Sequence, residues 1–199
     1  MPFIVETIIT TRNEEGQVHV APLGLIKDGD ANDDTAWILA PFRPSRTLDN
    51  LISNGFAVAN HVDDVRVFAN CIMGRRNWPV QRALKGDGGV MTNAAVHWEM
   101  QVERLEEDEV RPRFHCRVVH AQTHRPWSGF NRAQAAVIEA AVLATRLHML
   151  PSEKIETELA YLNIAIEKTA GPREAEAWAT LMEKFDAWRA GDRAAVRKA

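Results

Sequence analysis

Between an apolar run that ends at Leu39 and a second at Gly55-Phe-Ala-Val-Ala-Asn60, the segment Ala40-Pro-Phe-Arg-Pro-Ser-Arg-Thr-Leu-Asp-Asn-Leu51 gathers Ser45, Arg46, Thr47 and Asn50. The flanking runs read as strands, and the residues between them as the start of a short helix. At such a start, free backbone N–H groups, two hydroxyls, an amide and a guanidinium can converge on one phosphate. The plainer reading is that Ser45 only caps the helix, with Pro44 blocking propagation from the left. Arg43 and Arg46 weigh between the two. Both add positive charge at the positive pole of the helix dipole, which disfavours the helix unless an anion sits there.

The rest of the chain must position that segment. With 199 residues, of which 46% are apolar, it can bury a real core as one domain, or as one domain with a small helical extension. A net charge of −3 with interleaved signs argues against a nucleic-acid or membrane-surface role, which would call for a basic face. No apolar run approaches bilayer length, and Met1-Pro-Phe-Ile-Val-Glu lacks the n- and h-regions of a signal peptide, so a cytoplasmic location is expected. Cys71 and Cys116 lie far apart with no CxxC spacing and read as reduced core thiols.

Phe3–Thr11 and Val18–Ile26, joined by the turn signal Asn13-Glu-Glu-Gly16, predict a hairpin. Residues 28–34 form a polar loop, Thr35–Ala40 a third strand, Phe56–Asn60 a fourth, and Asp63–Cys71 a short helix or turn. Met73–Asn93 has no clean period and reads as a long loop with helical turns at most. Val96–Leu105 and Arg113–Gln122 alternate as a second antiparallel pair around the acidic turn Glu106-Glu-Asp-Glu109. From Asn131 the pattern becomes helical: a largely buried helix to Met149, begun by an Asn131/Gln134 capping-box variant, a second to Thr169 and a third over Arg173–Ala190. The last eight residues, small and basic, are expected to fray. The fold class is α+β.

Five blocks in order carry a family likeness: Ile4-Val-Glu-Thr-Ile-Ile-Thr-Thr11, Ala21-Pro-Leu-Gly24, Arg43-Pro-Ser-Arg-Thr-Leu-Asp-Asn50, Ala57-Val-Ala-Asn60 with Asp63, and Phe130-Asn-Arg-Ala133 running into Val137-Ile-Glu-Ala-Ala141. The chain resembles the uncharacterised FMN-binding split-barrel family of archaea and methylotrophic bacteria, whose members are often labelled as tetrahydromethanopterin-linked one-carbon transfer proteins. The resemblance implies a six-stranded Greek-key split β-barrel over residues 1–125, a C-terminal helical bundle over 126–199, and FMN held near a homodimer interface. Arg75–Asn93 matches no block of that pattern.

On that resemblance Arg43, Ser45, Arg46, Thr47 and Asn50 are the candidate FMN-phosphate residues. Pro22, Leu23 and Gly24 would let backbone approach the flavin ring, or form a strand kink or bulge. Asn60 would contact the ring or ribityl chain, or cap the turn to Asp63. Trp78 and Trp127 offer aromatic faces. Arg125, Arg132 and His124 could reach a phosphate or an anionic substrate from a neighbouring subunit, with Glu139 the alternative partner of Arg132. Ala133, Val137, Ala141 and Ala144 allow close helix packing in the core or across a dimer.

Among the histidines, strand alternation puts His120 and His124 on one face and His115 on the other, and no carboxylate or thiol completes a recognisable ligand set, so no metal is expected. A GxGxxG fingerprint and a nucleophile elbow are both absent. The function expected is a redox flavoprotein. The alternatives are a flavin reductase or pyridoxamine-phosphate-oxidase-like enzyme, and a non-catalytic dimeric flavin carrier or assembly factor.

Overall fold

The computed structural model describes residues 2–29 and 33–192. Its elements are β1 (Ile4–Arg12), β2 (Val18–Lys27), β3 (Ala36–Leu39), α1 (Arg46–Asn54), β4 (Phe56–His61), α2 (Arg66–Ile72), β5 (Val80–Arg82), β6 (Gly89–Met91), β7 (Val96–Glu106), β8 (Arg113–Thr123), α3 (Arg132–Thr145), α4 (Ser152–Thr169) and α5 (Pro172–Arg189). Of the eight terminal residues expected to fray, all but Asp192 lie outside the described residues, as do residues 30–32 of the polar loop. No described helix is long and apolar enough to cross a membrane.

Two compact units form. One runs to Val62 and resumes over Asn77–Trp127; the other joins Asp63–Arg76 to the chain from Ser128 onward. In the first, the strands close into an antiparallel barrel in the order β1-β2-β3-β8-β7-β4, the split-barrel arrangement expected. Alternating residues fill its interior. Ile9, Leu25, Trp37, Leu39, Ala57, Ala59, Met100, Phe114 and Cys116 form one buried cluster, and α1 presses Leu48 and Leu51 into it. Burial pushes the Cys116 thiol up to about 12, as befits a core residue.

The second unit packs α3 against α2, α4 and α5. Asn131 caps α3, its Oδ1 accepting from the N–H groups of Ala133 (2.8 Å) and Gln134 (3.2 Å). The reciprocal half of the expected capping box is missing, because the Gln134 amide donates to Glu174 instead (3.1 Å). The helix stops at Thr145, short of the expected Met149. Its buried side carries Ala133, Ala136, Val137, Ala140, Ala141 and Ala144, so the small-residue stripe is core of this unit.

The expected loop over 73–93 is corrected: it contains the hairpin of β5 and β6, paired Val80↔Met91 through Arg82↔Gly89. Three-residue strands are too short to show a period, and the turn between them, Ala83–Gly88, is set by tertiary packing. Ala83 and Val90 lie against Phe56 and Val58, the residues of β4 that point out of the barrel. A Cβ on Gly86 would overlap the Phe56 ring, and one on Gly88 would stand 2.8 Å from Val58 Cγ2. These glycines let the turn lie flat on the barrel wall. Phe56 is 3% exposed and cannot swing aside. Gly86→Ala is therefore expected to destabilise the protein by about 1–3 kcal/mol through overpacking, read as a lower urea midpoint at unchanged slope; an unchanged midpoint would contradict this packing.

Candidate functional site

The loop from β3 into α1 is held by the turn between β7 and β8. The Arg43 N–H donates to Val110 O (2.9 Å). Its guanidinium pairs with Glu107 (2.6 Å) and donates to Asp108 O (3.2 Å). Arg111 donates twice to Ala40 O (3.1 and 3.0 Å) while covering the Phe42 ring. Ser45 then leaves extended backbone and caps α1, its Oγ accepting from Leu48 N–H (3.3 Å). The capping role is thus realised. Of the two arginines, Arg43 has its counter-ion in Glu107, whereas exposed Arg46 has no hydrogen bond or ion pair among the described residues.

Thr47 is buried and makes no side-chain hydrogen bond among the described residues, and no acceptor there takes the N–H groups of Arg46 and Thr47. The first turn therefore presents Arg46, the Thr47 hydroxyl and two free N–H groups together. Asn50 faces the other way, buried, donating to Thr11 Oγ1 on β1 (2.9 Å).

The remaining sequence-derived residues are dispersed. Pro22, Leu23 and Gly24 pair with Ile8, Thr7 and Glu6 without interruption, so no bulge forms there. Leu23 O accepts from Thr7 Oγ1 (2.9 Å), and the room a side chain would need at Gly24 holds Ile4 Cγ2, 2.8 Å from the added Cβ. Asn60 is fully buried. Its amide donates to Ile8 O (3.1 Å), Thr10 Oγ1 (3.1 Å) and Val58 O (3.2 Å), and its oxygen accepts from Met91 N–H (2.8 Å). It ties β1, β4 and β6 together. Trp127 is 61% exposed and Trp78 half-buried. Arg125 reaches Asn93 O (3.5 Å). Arg132, exposed, opens α3 in the helical unit and makes no pair with Glu139 among the described residues.

The histidines behave differently from the sequence expectation. Phe114 and Cys116 point into the barrel, so His115 points out, where it meets Asp28 (2.6 Å) and Glu106 (3.2 Å). Simple alternation would turn His120 inward with Phe114 and Cys116. A bulge at Val119, where pairing steps from Met100↔Val118 to Glu99↔His120, flips it outward instead. There it meets two residues the sequence reading did not single out, His97 and Glu99 of β7, so a carboxylate does stand beside His120. The signal was the His97-x-Glu99 spacing, which puts both on one strand face; only the register adds His120.

Two of the three residues are buried and His120 is half-buried. Glu99 is 0% and His97 2% exposed. The two Glu99 oxygens accept from the N–H groups of Leu84 (2.7 Å) and Lys85 (2.6 Å), in the turn of the β5–β6 hairpin. His97 Nε2 lies 3.4 Å from Glu99 Oε1, and its Nδ1 lies 2.8 Å from His124 Nε2, with the two rings stacked. Burial lowers the His97 pKa, against a smaller opposing pull from Glu99.

Comparisons with known proteins fit this architecture. The N-terminal model of a family described as protein of unknown function, DUF447, matches residues 5–125, and the C-terminal model matches 131–183. An FMN-bound DUF447 protein from Methanosarcina mazei is similar at 21% identity and a TM-score of 0.77, over 91% of this chain and 94% of that one. The flavoredoxin of Methanosarcina acetivorans (14%, TM-score 0.51, 61% and 69% covered) and the styrene monooxygenase flavin reductase of Pseudomonas putida S12 (16%, 0.50, 62% and 83%) share the barrel. The fold is thus the split barrel found among flavin-binding proteins. The chain belongs to the DUF447 family.

One titration at the edge of this region has a readable sign. His61, at the end of β4, packs its ring on Trp98 at 4.3 Å between centroids, and its Nε2 is shielded with no hydrogen-bond partner among the described residues. Burial lowers its pKa from 6.5 to about 4. Between those values the unfolded chain binds a proton that the folded chain refuses, so stability falls as pH drops through the window. The loss attributable to His61 is on the order of 3 kcal/mol at most, at about 1.4 kcal/mol per tenfold change in proton affinity. Urea denaturation between about pH 7 and about pH 5 should show a shallower pH dependence for His61→Gln than for the parent; parallel profiles would refute it.

Proposed function

We propose that this protein binds FMN and acts as a redox flavoprotein, with the first turn of α1 holding the FMN phosphate. The observation that carries the reading is Arg46: a cation at the positive end of a helix with no counter-ion among the described residues, beside two N–H groups and a Thr47 hydroxyl that find no partner there. That donor set fits a dianionic phosphate ester. Ser45 shapes the turn as its cap, Asn50 anchors it to β1, and Arg43 fixes the approaching loop through Glu107.

Membership of a family with an FMN-bound relative supports the cofactor. Bound FMN would supply electron transfer, and the chain's part is to hold and orient it. The backbone of Pro22–Gly24, with Trp127, is proposed to complete the ring surroundings at a homodimer contact, Arg132 to reach a phosphate or an anionic substrate from a neighbouring subunit, and Asn60 to act behind the ring as the tie that stiffens β1 and β4. The proposed setting, one-carbon metabolism linked to tetrahydromethanopterin, rests on the family resemblance alone.

Arg46→Ala should raise the Kd for FMN about tenfold or more, since a charge-assisted hydrogen bond contributes roughly 1.5–3 kcal/mol. Because Arg46 is exposed and unpaired, the ligand-free stability should shift by no more than about 0.5 kcal/mol. Titration calorimetry and urea denaturation measure the two. Equal FMN affinity in parent and variant would remove the phosphate assignment. Tight FMN binding without oxidation of NADH would favour the carrier alternative over an enzyme.

A further inference from the structure

We infer that His97, Glu99 and His120 form a binding site for one divalent transition-metal ion of the zinc type, on the outer wall of the barrel beneath the β5–β6 hairpin. One ligand atom from each of the three residues lies within 4.8 Å of the other two. One pair, His97 Nε2 and Glu99 Oε1, is 3.4 Å apart. That is long for a hydrogen bond, yet donors 2.0–2.1 Å from a tetrahedral zinc stand about 3.4 Å from one another.

Three independent features point at a cation. The first is the lone nitrogen of His120: its Nε2 is shielded from solvent and has no hydrogen-bond partner among the described residues. A buried imidazole nitrogen left so is costly, and a metal ion satisfies it directly. The second is charge. Glu99 is fully buried and accepts from two backbone N–H groups, and among the described residues no Lys or Arg side chain pairs with it. The third is the shell behind the ligands. His124 Nε2 stands 2.8 Å from His97 Nδ1, so in the tautomer with the proton on Nδ1 the ring is held from behind and its Nε2 lone pair is left for an ion beside Glu99. The N–H groups of Leu84 and Lys85 orient the carboxylate in the same way.

Two imidazoles and a carboxylate match zinc or a neighbouring first-row ion better than calcium or magnesium, which prefer all-oxygen sets. Three protein ligands leave one coordination position for water. The ion would join β7 to β8 and, through Glu99, to the hairpin turn. The site shares no residue with the α1 turn and does not depend on FMN binding.

The test uses tag-free full-length protein stripped with a chelator and titrated calorimetrically with Zn2+. One ion per chain should bind, raising the thermal midpoint, and His120→Ala should bind at least about tenfold more weakly with no such rise. Zn K-edge absorption of the loaded parent should show nitrogen and oxygen neighbours with imidazole scattering, a readout that stands even where the variant fails to fold. Failure of the parent to take up Zn2+, equal affinity in His120→Ala, or sulfur in the zinc shell would overturn the assignment.

Discussion

The barrel closes along a short seam. β1 and β4 pair through Ile8↔Asn60, Ile9↔Ala59 and Thr10↔Val58 only, whereas β1 and β2 pair from Ile4↔Ile26 to Arg12↔Val18. A seam of that length leaves little ladder to hold two strands that arrive from distant parts of the chain, and side chains reinforce it. Asn60 spends its amide on β1 and on its own strand, and its oxygen on β6; Thr10 Oγ1 donates to Gly89 O. Because every group is satisfied in a water-free place, the network specifies one register, and a slip would strand several polar atoms at once. Without this closure β4 would be an exposed edge, and α1, which leads directly into β4, would lose its footing.

The position of α1 follows from that closure. Leu48 and Leu51 are sunk in the barrel core, so the helix cannot rotate, and Gly55 ends it in the left-handed conformation with its N–H on Leu51 O. On its first turn Arg46 stays exposed. Evolutionary economy is not needed to explain the unpaired arginine there: a helix whose apolar face is buried tolerates an unfavourable charge at its N-terminus, because packing outweighs a dipole effect of about 0.3–1 kcal/mol. The same fixity makes the turn a preorganised anion cradle, since the donors are held in place before any ligand arrives.

Local signals in the sequence carried most of the barrel. Alternation marked the long strands, Asn13–Gly16 the first turn, Ser45 and Asn131 the helix starts, each with a cause within a few residues. What escaped depended on distant partners. Arg43 looked like a second phosphate ligand until Glu107, 64 residues away, proved to be its counter-ion. The β5–β6 hairpin escaped because its strands are three residues long and its glycines answer to Phe56 and Val58 rather than to a turn pattern. His120 escaped because one bulge residue reversed its face. Asn60 read equally as ligand or cap, and only the register of β1 against β4 made it a tie.

The outer wall shows why polar residues sit where an apolar contact would serve. Phe56, Val58, Ala83 and Val90 already give the hairpin an apolar seat, so the polar pairs beside them are not needed merely to hold it down. Hydrophobic contact is indifferent to a shift of one residue along a flat wall, whereas Glu99 can accept from Leu84 and Lys85 together in only one placement of the turn. Replacing one member of such a buried set leaves the others unsatisfied, while replacing all of them by apolar groups can be nearly neutral in stability. The polar wall is therefore better understood as fixing where the hairpin lies than as adding to how tightly it is held.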